Sequence, residues 1–463
     1  MRIAMIGGGY VGLVSGACFA ALGATVVIVE ADEHRFNALR DGRIPIYEPG
    51  LEELVSIHRA AGRLHFVNTI DEAVDGVDAV FLAVGTPSRR GDGHADLSYV
   101  FDAVDQLAGA LTGPAILVTK STVPVGTGAR IATMMASLRP DLAIEVASNP
   151  EFLREGSAIS DFMRPDRVVI GANGACARAV LSALYQPLTQ QGVTLLFTGL
   201  ETAELIKYAA NSFLAMKISF INEMADLCEK LGADVTQLAH GMGLDHRIGA
   251  QFLHAGPGFG GSCFPKDTQA LVRIAQDAGA PTRLVETVVA VNEARKAAMT
   301  GRVIAACGGS VRGRRIAVLG LTFKPDTDDM RDAPAIGIIH RLVDEGAIIT
   351  AYDPMGMDHA RFQLPARVTF CADAQSALRG ADAAVLITEW AEFRALTPAD
   401  LCAALRGRTV IDLRNIFDPT AMQAAGIAYY GIGRPQPPAI NQRDRRAQTP
   451  YREPRRERSL SVL

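Results

Sequence analysis

Residues 7–12 read Gly-Gly-Gly-Tyr-Val-Gly, and their neighbours leave few folds open. An apolar stretch, residues 2–6, leads into them. An apolar helical stretch runs on to Leu22 and stops at Gly23, and residues 25–29 form a second apolar stretch that ends at Glu30. Strand, G-x-G-x-x-G, helix, second strand and terminal acid, in that register, is the order of a dinucleotide-binding βαβ unit. Gly7 makes the tight turn, Gly9 admits a pyrophosphate, and Gly12 lets the helix pack closely on the strand. The phosphates would then meet unpaired N–H groups at a helix N-terminus. A carboxylate at Glu30 accepts from both adenosine ribose hydroxyls and repels a 2′-phosphate, so the expected cofactor is NAD rather than NADP. Arg2 followed by an Ala-rich apolar run also resembles a secretory leader, but the glycine spacing and the closing acid fit the βαβ unit better.

A βα rhythm continues. Apolar runs at residues 79–84, 115–119 and 144–147 each end in a polar cluster: Gly85-Thr86-Pro87, Lys120-Ser121-Thr122-Val123-Pro124, and Ser148-Asn149-Pro150-Glu151-Phe152-Leu153-Arg154-Glu155. Open α/β sheets place ligands at that edge. Thr122, Glu151 and Glu155 are therefore candidates, although each alone also reads as a helix cap or a solvated loop acid. Residues 198–201 read as a capping box for a helix that runs to about Leu231 and stops at Gly232. Its apolar residues occupy much of the circumference, so it must be covered on most sides, by two domains and a second subunit. Lys207 and Asn211 fall on one face. They can donate together to one oxygen, or be a surface lysine beside a polar residue at a helix crossing.

From residue 315 the opening pattern recurs without its glycines. Residues 316–319, 348–352, 383–387 and 410–413 are strands. Lys324, Arg331 and Arg414 lie where the first half has its ligand edge, which suits a phosphate-bearing ligand other than NAD. The fold class is α/β: two Rossmann-like doubly wound domains joined by a long central helix and a helical dimerisation region. The expected division is 1–197 for the NAD-binding domain, 198–300 for the central helical domain, and 301–435 for the second nucleotide-like domain. An Arg/Pro-rich tail, 436–463, is expected to be disordered.

The 463 residues carry a net charge of −4, and nothing in their distribution makes a basic face for nucleic acid. No apolar run reaches membrane-spanning length. Seven scattered cysteines include no Cys-x-x-Cys, and nine histidines form no ligand pattern. A disulfide framework and a metal site are not expected, and a reducing cytoplasm fits.

One cysteine stands apart. Residues 258–267 read Gly-Phe-Gly-Gly-Ser-Cys-Phe-Pro-Lys-Asp. Three glycines in four positions allow a tight turn and close approach to a ligand. Cys263 follows, with Lys266 and Asp267 next to it. A buried cysteine in a tight turn would look similar in isolation. Beside a nucleotide-binding unit, a nucleophile is the better reading.

These segments carry a resemblance. Residues 7–12, 84–87, 121–124, 149–152, 204–208 with Asn211, 258–267 and 323–327 are similar to the motifs of the UDP-glucose/GDP-mannose dehydrogenase family, over roughly residues 1–435. The resemblance implies a four-electron oxidation of a nucleotide sugar's primary alcohol to a carboxylate with two NAD, UDP-glucose giving UDP-glucuronate. GDP-mannose or a UDP-N-acetylhexosamine is the alternative substrate; the 252–263 stretch looks more like the glucose branch. Cys263 would carry the thiohemiacetal and thioester, and Lys207 and Asn211 would face the oxyanion. Thr122 and Asp267 would position the water that takes the first proton, and Glu155, with Glu151 nearby, would assist thioester hydrolysis. Lys207 is also expected to favour the Cys263 thiolate. Tyr10, Val11, Arg35, Thr86, Pro87, Ser121, Thr122, Glu155, Lys266 and Arg331 join the glycines and Glu30 as cofactor residues. Phe152, Leu153, Arg154, Glu155, Lys207, Asn211, Phe252, Gly256, Gly258, Phe259, Cys263, Phe323, Lys324 and Arg414 would contact substrate. Arg247 would reach a neighbouring subunit's substrate, which implies a homodimer.

Overall fold

The computed structural model describes residues 1–89 and 93–435; the tail expected to be disordered lies outside them. Among the described residues the strands form two sheets. In the first, β1 (Arg2–Ile6), β2 (Thr25–Val29), β3 (Leu64–Val67), β4 (Ala79–Leu82), β5 (Ala115–Thr119), β6 (Ile144–Ser148), β7 (Arg167–Ala172) and β8 (Thr194–Thr198) are ordered 3-2-1-4-5-6-7-8. Strands β1 to β6 are parallel, and β7 joins β6 antiparallel. The second sheet orders β9 (Arg315–Leu319), β10 (Ile348–Tyr352), β11 (Thr369–Phe370), β12 (Ala383–Leu386), β13 (Thr409–Asp412) and β14 (Ala428–Gly431) as 11-10-9-12-13-14, all parallel.

Both orders reverse direction beside the first strand, and helices cover both faces. Strand alternation explains the burial. Ile3 and Met5 join Phe19 in one core, while Ala4 and Ile6 join Val104 in the core across the sheet. The second sheet repeats this, with Ile316 and Val318 on one side and Ala317 and Leu319 on the other.

Helix Leu200–Leu231 joins the halves. At 32 residues it spans about 48 Å. Gly232 ends it in the left-handed region, φ 74°. The capping box expected at its start does not form. Gly199 is the N-cap, and the Thr198 hydroxyl donates to the Gly199 carbonyl and accepts from no helix amide. Helices Phe264–Asp277 and Arg283–Ala306 pack against it.

The two nucleotide-like loops differ in one decisive contact. Asp353, just past β10, occupies the place that Glu30 has just past β2. Its Oδ2 accepts from the Leu321 and Thr322 amides at 2.7 and 3.1 Å and from the Trp390 indole at 3.1 Å. Its Oδ1 accepts from the Gly356 amide at 2.7 Å. Two amides at the start of the loop after β9 are thus spent on an internal carboxylate, and Asp353 is fully buried. Amides already satisfied by a carboxylate do not bind a pyrophosphate.

Candidate active site

The loop after β1 fits a dinucleotide. Gly7 has φ 109°, open to glycine at no steric cost, and a methyl built on Gly12 would overlap the Gly7 carbonyl oxygen. Glu30 is nearly buried, and its Oε1 accepts from the Asp32 amide at 3.0 Å. Arg35 pairs with Glu30 at 3.6 Å and donates to the Gly8 carbonyl at 3.2 Å, so it borders this loop. Val11 is half-buried in the first turn of the helix. The next two edge loops are tied together. The Thr86 hydroxyl donates to the Thr122 carbonyl at 2.9 Å and the Ser121 hydroxyl to the Val84 carbonyl at 2.7 Å, with Pro87 exposed beside them. Gly12→Ala is expected to weaken NADH binding by about tenfold or more and to cost about 1–3 kcal/mol of stability through overpacking. Calorimetric titration and thermal melting check both.

Cys263 is the N-cap of helix Phe264–Asp277, where the glycine turn delivers it between the two sheets. Gly260 allows that turn to press on Asp332, since a methyl there would overlap the Asp332 carbonyl oxygen. Groups from three segments, the 151–155 loop, the long helix and residues 262–267, gather around the sulfur. Lys207, 2 % exposed, donates to Glu151 Oε1 at 2.9 Å. Asn211 Nδ2 donates to Asp267 Oδ2 at 2.7 Å, and Lys266 Nζ to Asp267 Oδ1 at 2.6 Å. The Ser262 hydroxyl donates to Glu155 Oε1 at 2.8 Å and lies 3.5 Å from the Cys263 sulfur. Lys207 and Asn211 therefore do share a face, but each is met by its own carboxylate rather than by one common oxygen.

The charges follow from this packing. Burial alone would pull Lys207 down, but the negative charges of Glu151 and Asp267, joined by Cys263 when it is ionised, outweigh it and hold the ammonium above its ordinary range. For Glu151, burial pushes upward and Lys207 wins, leaving the carboxyl below its usual value. Glu155 is raised, by burial first and then by Asp329, against the opposing pull of Arg331. The expectation of a favoured thiolate is corrected. Lys207 acts on Cys263 in the expected direction, but burial is the larger effect and the thiol ends above its ordinary value of 9.0. Thr122 is half-buried at the end of its loop, ahead of helix Thr127–Leu138.

The second half closes the site. Thr327 Oγ1 donates to Glu155 Oε2 at 2.9 Å, Arg331 Nη2 lies 3.2 Å from Oε1, and Lys324 Nζ donates to the Glu155 carbonyl. Arg414 donates to the Phe323 carbonyl at 3.0 Å, and its guanidinium lies against Gly256. The Phe323 ring covers Gly261. Gly258 and Phe259 are buried beneath, and Phe252 stacks near Phe264 with centroids 5.9 Å apart. Phe152 lies under Lys207 Nζ, 5.5 Å from the ring centroid. The Leu153 amide donates to Glu151, and Arg154 is turned outward to Asp161 at 2.6 Å. Arg247 is not brought to this cluster within the chain; it is exposed and paired with Asp245 at 2.6 Å.

Several supporting residues have no role assigned by the motifs. Asn222 accepts from the Gly256 amide at 2.8 Å, and Asn292 clamps Phe259 through both its amide and its carbonyl, at 2.8 and 3.1 Å. Arg295 donates to the Gly256 carbonyl at 3.1 Å. Glu204 accepts from the Gly126 and Gly128 amides at 2.6 and 2.7 Å, tying the Thr122 loop to the helix of Lys207. Glu48 accepts from Tyr10 and from the Gly156 amide, joining the glycine loop to the Glu155 loop. A lone Asn on a helix gives no signal. The spacing of Glu204 one turn before Lys207 is the nearest thing to one.

Three family models match the chain, described as the NAD binding, central and UDP binding domains of the UDP-glucose/GDP-mannose dehydrogenase family, over residues 1–189, 201–294 and 317–419. A UDP-glucose 6-dehydrogenase of Rhizobium meliloti is 56 % identical over 437 residues, 94 % of this chain and 100 % of that protein. A UDP-glucose 6-dehydrogenase of Bacillus subtilis is 47 % identical, with 94 % and 93 % covered. A UDP-glucose dehydrogenase structure from Pyrobaculum islandicum superposes with TM-score 0.86 at 39 % identity, covering 94 % of this chain and 98 % of that one.

Proposed function

Because the chain belongs to the UDP-glucose/GDP-mannose dehydrogenase family, whose members use NAD, we propose that it oxidises UDP-glucose to UDP-glucuronate through a thiohemiacetal and a thioester on Cys263. The observation that carries this reading is the convergence of one thiol, a buried lysine, an amide and carboxylates between the ligand edges of two nucleotide-type sheets. A simple alcohol dehydrogenase has no use for the thiol. The 56 % identity to a UDP-glucose 6-dehydrogenase favours that substrate over GDP-mannose or a UDP-N-acetylhexosamine.

Bound NAD supplies the hydride acceptor. The chain's own residues do the rest. Thr122 and Asp267 position the water that takes the hydroxyl proton. Cys263 attacks the aldehyde carbon and keeps it from escaping. Lys207, fixed by Glu151, and Asn211, fixed by Asp267, present a cation and an N–H to the oxygen that becomes negative. Such preorganised donors contribute several kcal/mol of barrier reduction (about 3–4 for one donor). Glu155, with Glu151 near, assists the water that cleaves the thioester. Lys324, Arg331 and Arg414 are the cations assigned to the diphosphate side. Phe152, Leu153 and Arg154 are assigned to the uridine side. The working division is 1–197, 198–300 and 301–435.

We also assign a homodimer. On the long helix Leu205, Phe213, Phe220 and Leu227 recur every seven or eight residues and stay 42–58 % exposed. A recurring apolar stripe of this kind is suited to a second copy. Exposed Arg247, paired with Asp245 within the chain, is then assigned to the neighbouring subunit's substrate. The cytoplasm is the proposed location, where seven unpaired thiols stay reduced.

Complete turnover of limiting UDP-glucose is expected to release two NADH per sugar nucleotide, read from the endpoint absorbance, with no free aldehyde trapped. One NADH would replace this reading with a two-electron dehydrogenase. Turnover of GDP-mannose or a UDP-N-acetylhexosamine, with none of UDP-glucose, would move it to that substrate.

A further inference from the structure

We propose that Ser262 is a proton relay: its hydroxyl passes the Cys263 thiol proton to the Glu155 carboxylate and so generates the attacking thiolate. This rests on the reading of Cys263 as the nucleophile and adds the route by which it is activated. The Ser262 oxygen lies 2.8 Å from Glu155 Oε1 and 3.5 Å from the Cys263 sulfur, a continuous S–H, O–H, carboxylate chain. The other charged groups facing the sulfur are Lys207, Glu151, Asp267 and Arg331. None of them is a suitable base. Lys207 already carries its proton and spends it on Glu151. Asp267 is filled by Asn211 and Lys266. Arg331 is a guanidinium.

Glu155 is built as the acceptor. Thr327 and Ser262 fix its two oxygens, Arg331 sits on one, and Asp329 and Lys324 complete the charged surroundings, with the neutral Tyr10 phenol nearby. Burial raises the Cys263 thiol and the Glu155 carboxyl alike. The thiol therefore keeps its proton near neutrality unless a neighbour takes it, and the carboxylate is more basic than usual. The step balances without redox change. The S–H bond breaks as a new O–H forms on Ser262, while the original Ser262 O–H breaks as Glu155 gains a proton. Ser262 stays neutral throughout; Glu155 releases this proton to solvent before the thioester is cleaved, takes one from the attacking water, and returns that one through Ser262 to sulfur as the thiolate leaves.

The test is the rate of Cys263 carbamidomethylation by iodoacetamide, followed by peptide mass spectrometry from about pH 6 to about pH 10 with neither NAD nor nucleotide sugar present. It is independent of the substrate, so its failure would leave the assignment of UDP-glucose intact. With a relay, the wild-type protein keeps a pH-independent shoulder below the thiol's own titration. Ser262→Ala and Glu155→Gln both remove the shoulder and slow alkylation near neutrality by about tenfold, and Ser262→Thr restores it. If Glu155 acted only through its charge, Glu155→Gln would have the opposite sign, since losing a negative neighbour eases ionisation of the thiol and speeds alkylation. Faster or unchanged alkylation in Glu155→Gln overturns the relay, as does an unchanged shoulder in Ser262→Ala. The glutamine keeps the size and both hydroxyl partners of Glu155, so that arm stands even if the alanine variant folds poorly.

Discussion

Cys263→Ser is expected to lose steady-state formation of the carboxylate product by about a thousandfold or more while binding NADH as tightly as the unaltered protein. The reasons are chemical and spatial. A serine hydroxyl is several units less acidic than a thiol, and an oxygen ester releases a poorer leaving group than a thioester. The second oxidation and the hydrolysis therefore both suffer. The cofactor loop, residues 7–12, is a separate segment after β1 and makes no contact through the sulfur, so calorimetric affinity for NADH should stay within about twofold. Full activity in this variant would remove the covalent steps altogether. Loss of NADH affinity along with activity would mean that the substitution disturbs the fold rather than the chemistry.

Lys207→Met should be nearly as severe, and for two separable reasons. The first is stability. Lys207 and Glu151 are a buried pair, with side chains 3 % and 6 % exposed. Removing the cation leaves a carboxylate in a dry site, at a cost of about 3–5 kcal/mol. The second is the loss of the charge proposed to face the developing oxyanion, which is expected to slow turnover by about a hundredfold to a thousandfold. Lys207→Met combined with Glu151→Gln separates them: the melting temperature should recover while kcat stays low. Recovery of kcat in the double variant would leave Lys207 a purely structural role.

The pair also sets a pH window. Glu151 is depressed in the folded state, so its contribution is present above the ordinary carboxylate value of 4.5 and lost as pH falls through its folded value. Lys207 is raised, so its contribution is complete below the ordinary 10.5 and lost as pH rises through its folded value. The plateau between should disappear from the stability profile of the double variant.

Legibility in the sequence followed physical range. The βαβ register was readable because strand, glycine turn and helix are local, and β1, β2 and the end of the long helix at Gly232 fall where the pattern puts them. The capping box failed because the N-cap is Gly199, which has no side chain to accept from a helix amide, and the Thr198 hydroxyl turns to the Gly199 carbonyl. Lys207 and Asn211 could be placed on one face, but whether they were buried, and that two carboxylates from distant segments would claim them, depends on tertiary packing. The same is true of the sulfur. Neighbouring charge is visible as residues in a chain, whereas the desolvation that overrides it belongs to the closed molecule. Asn222, Asn292 and Arg295 act on backbone groups of the glycine turn across long sequence separations, and no local pattern marks such contacts.

Asp353 has a bearing on timing. With the Leu321 and Thr322 amides after β9 occupied, that loop offers no alternative berth for a dinucleotide, and in the proposed four-electron oxidation both electron pairs would leave through the one berth beside Gly7. The spent carrier has to depart and a fresh one arrive while the half-oxidised sugar waits. The wait is tolerable only when the sugar's anchorage, the sulfur bond and the cations of the far half, is independent of the carrier. A plugged loop in one half thus dictates that the other half must be able to empty and refill without disturbing its neighbour.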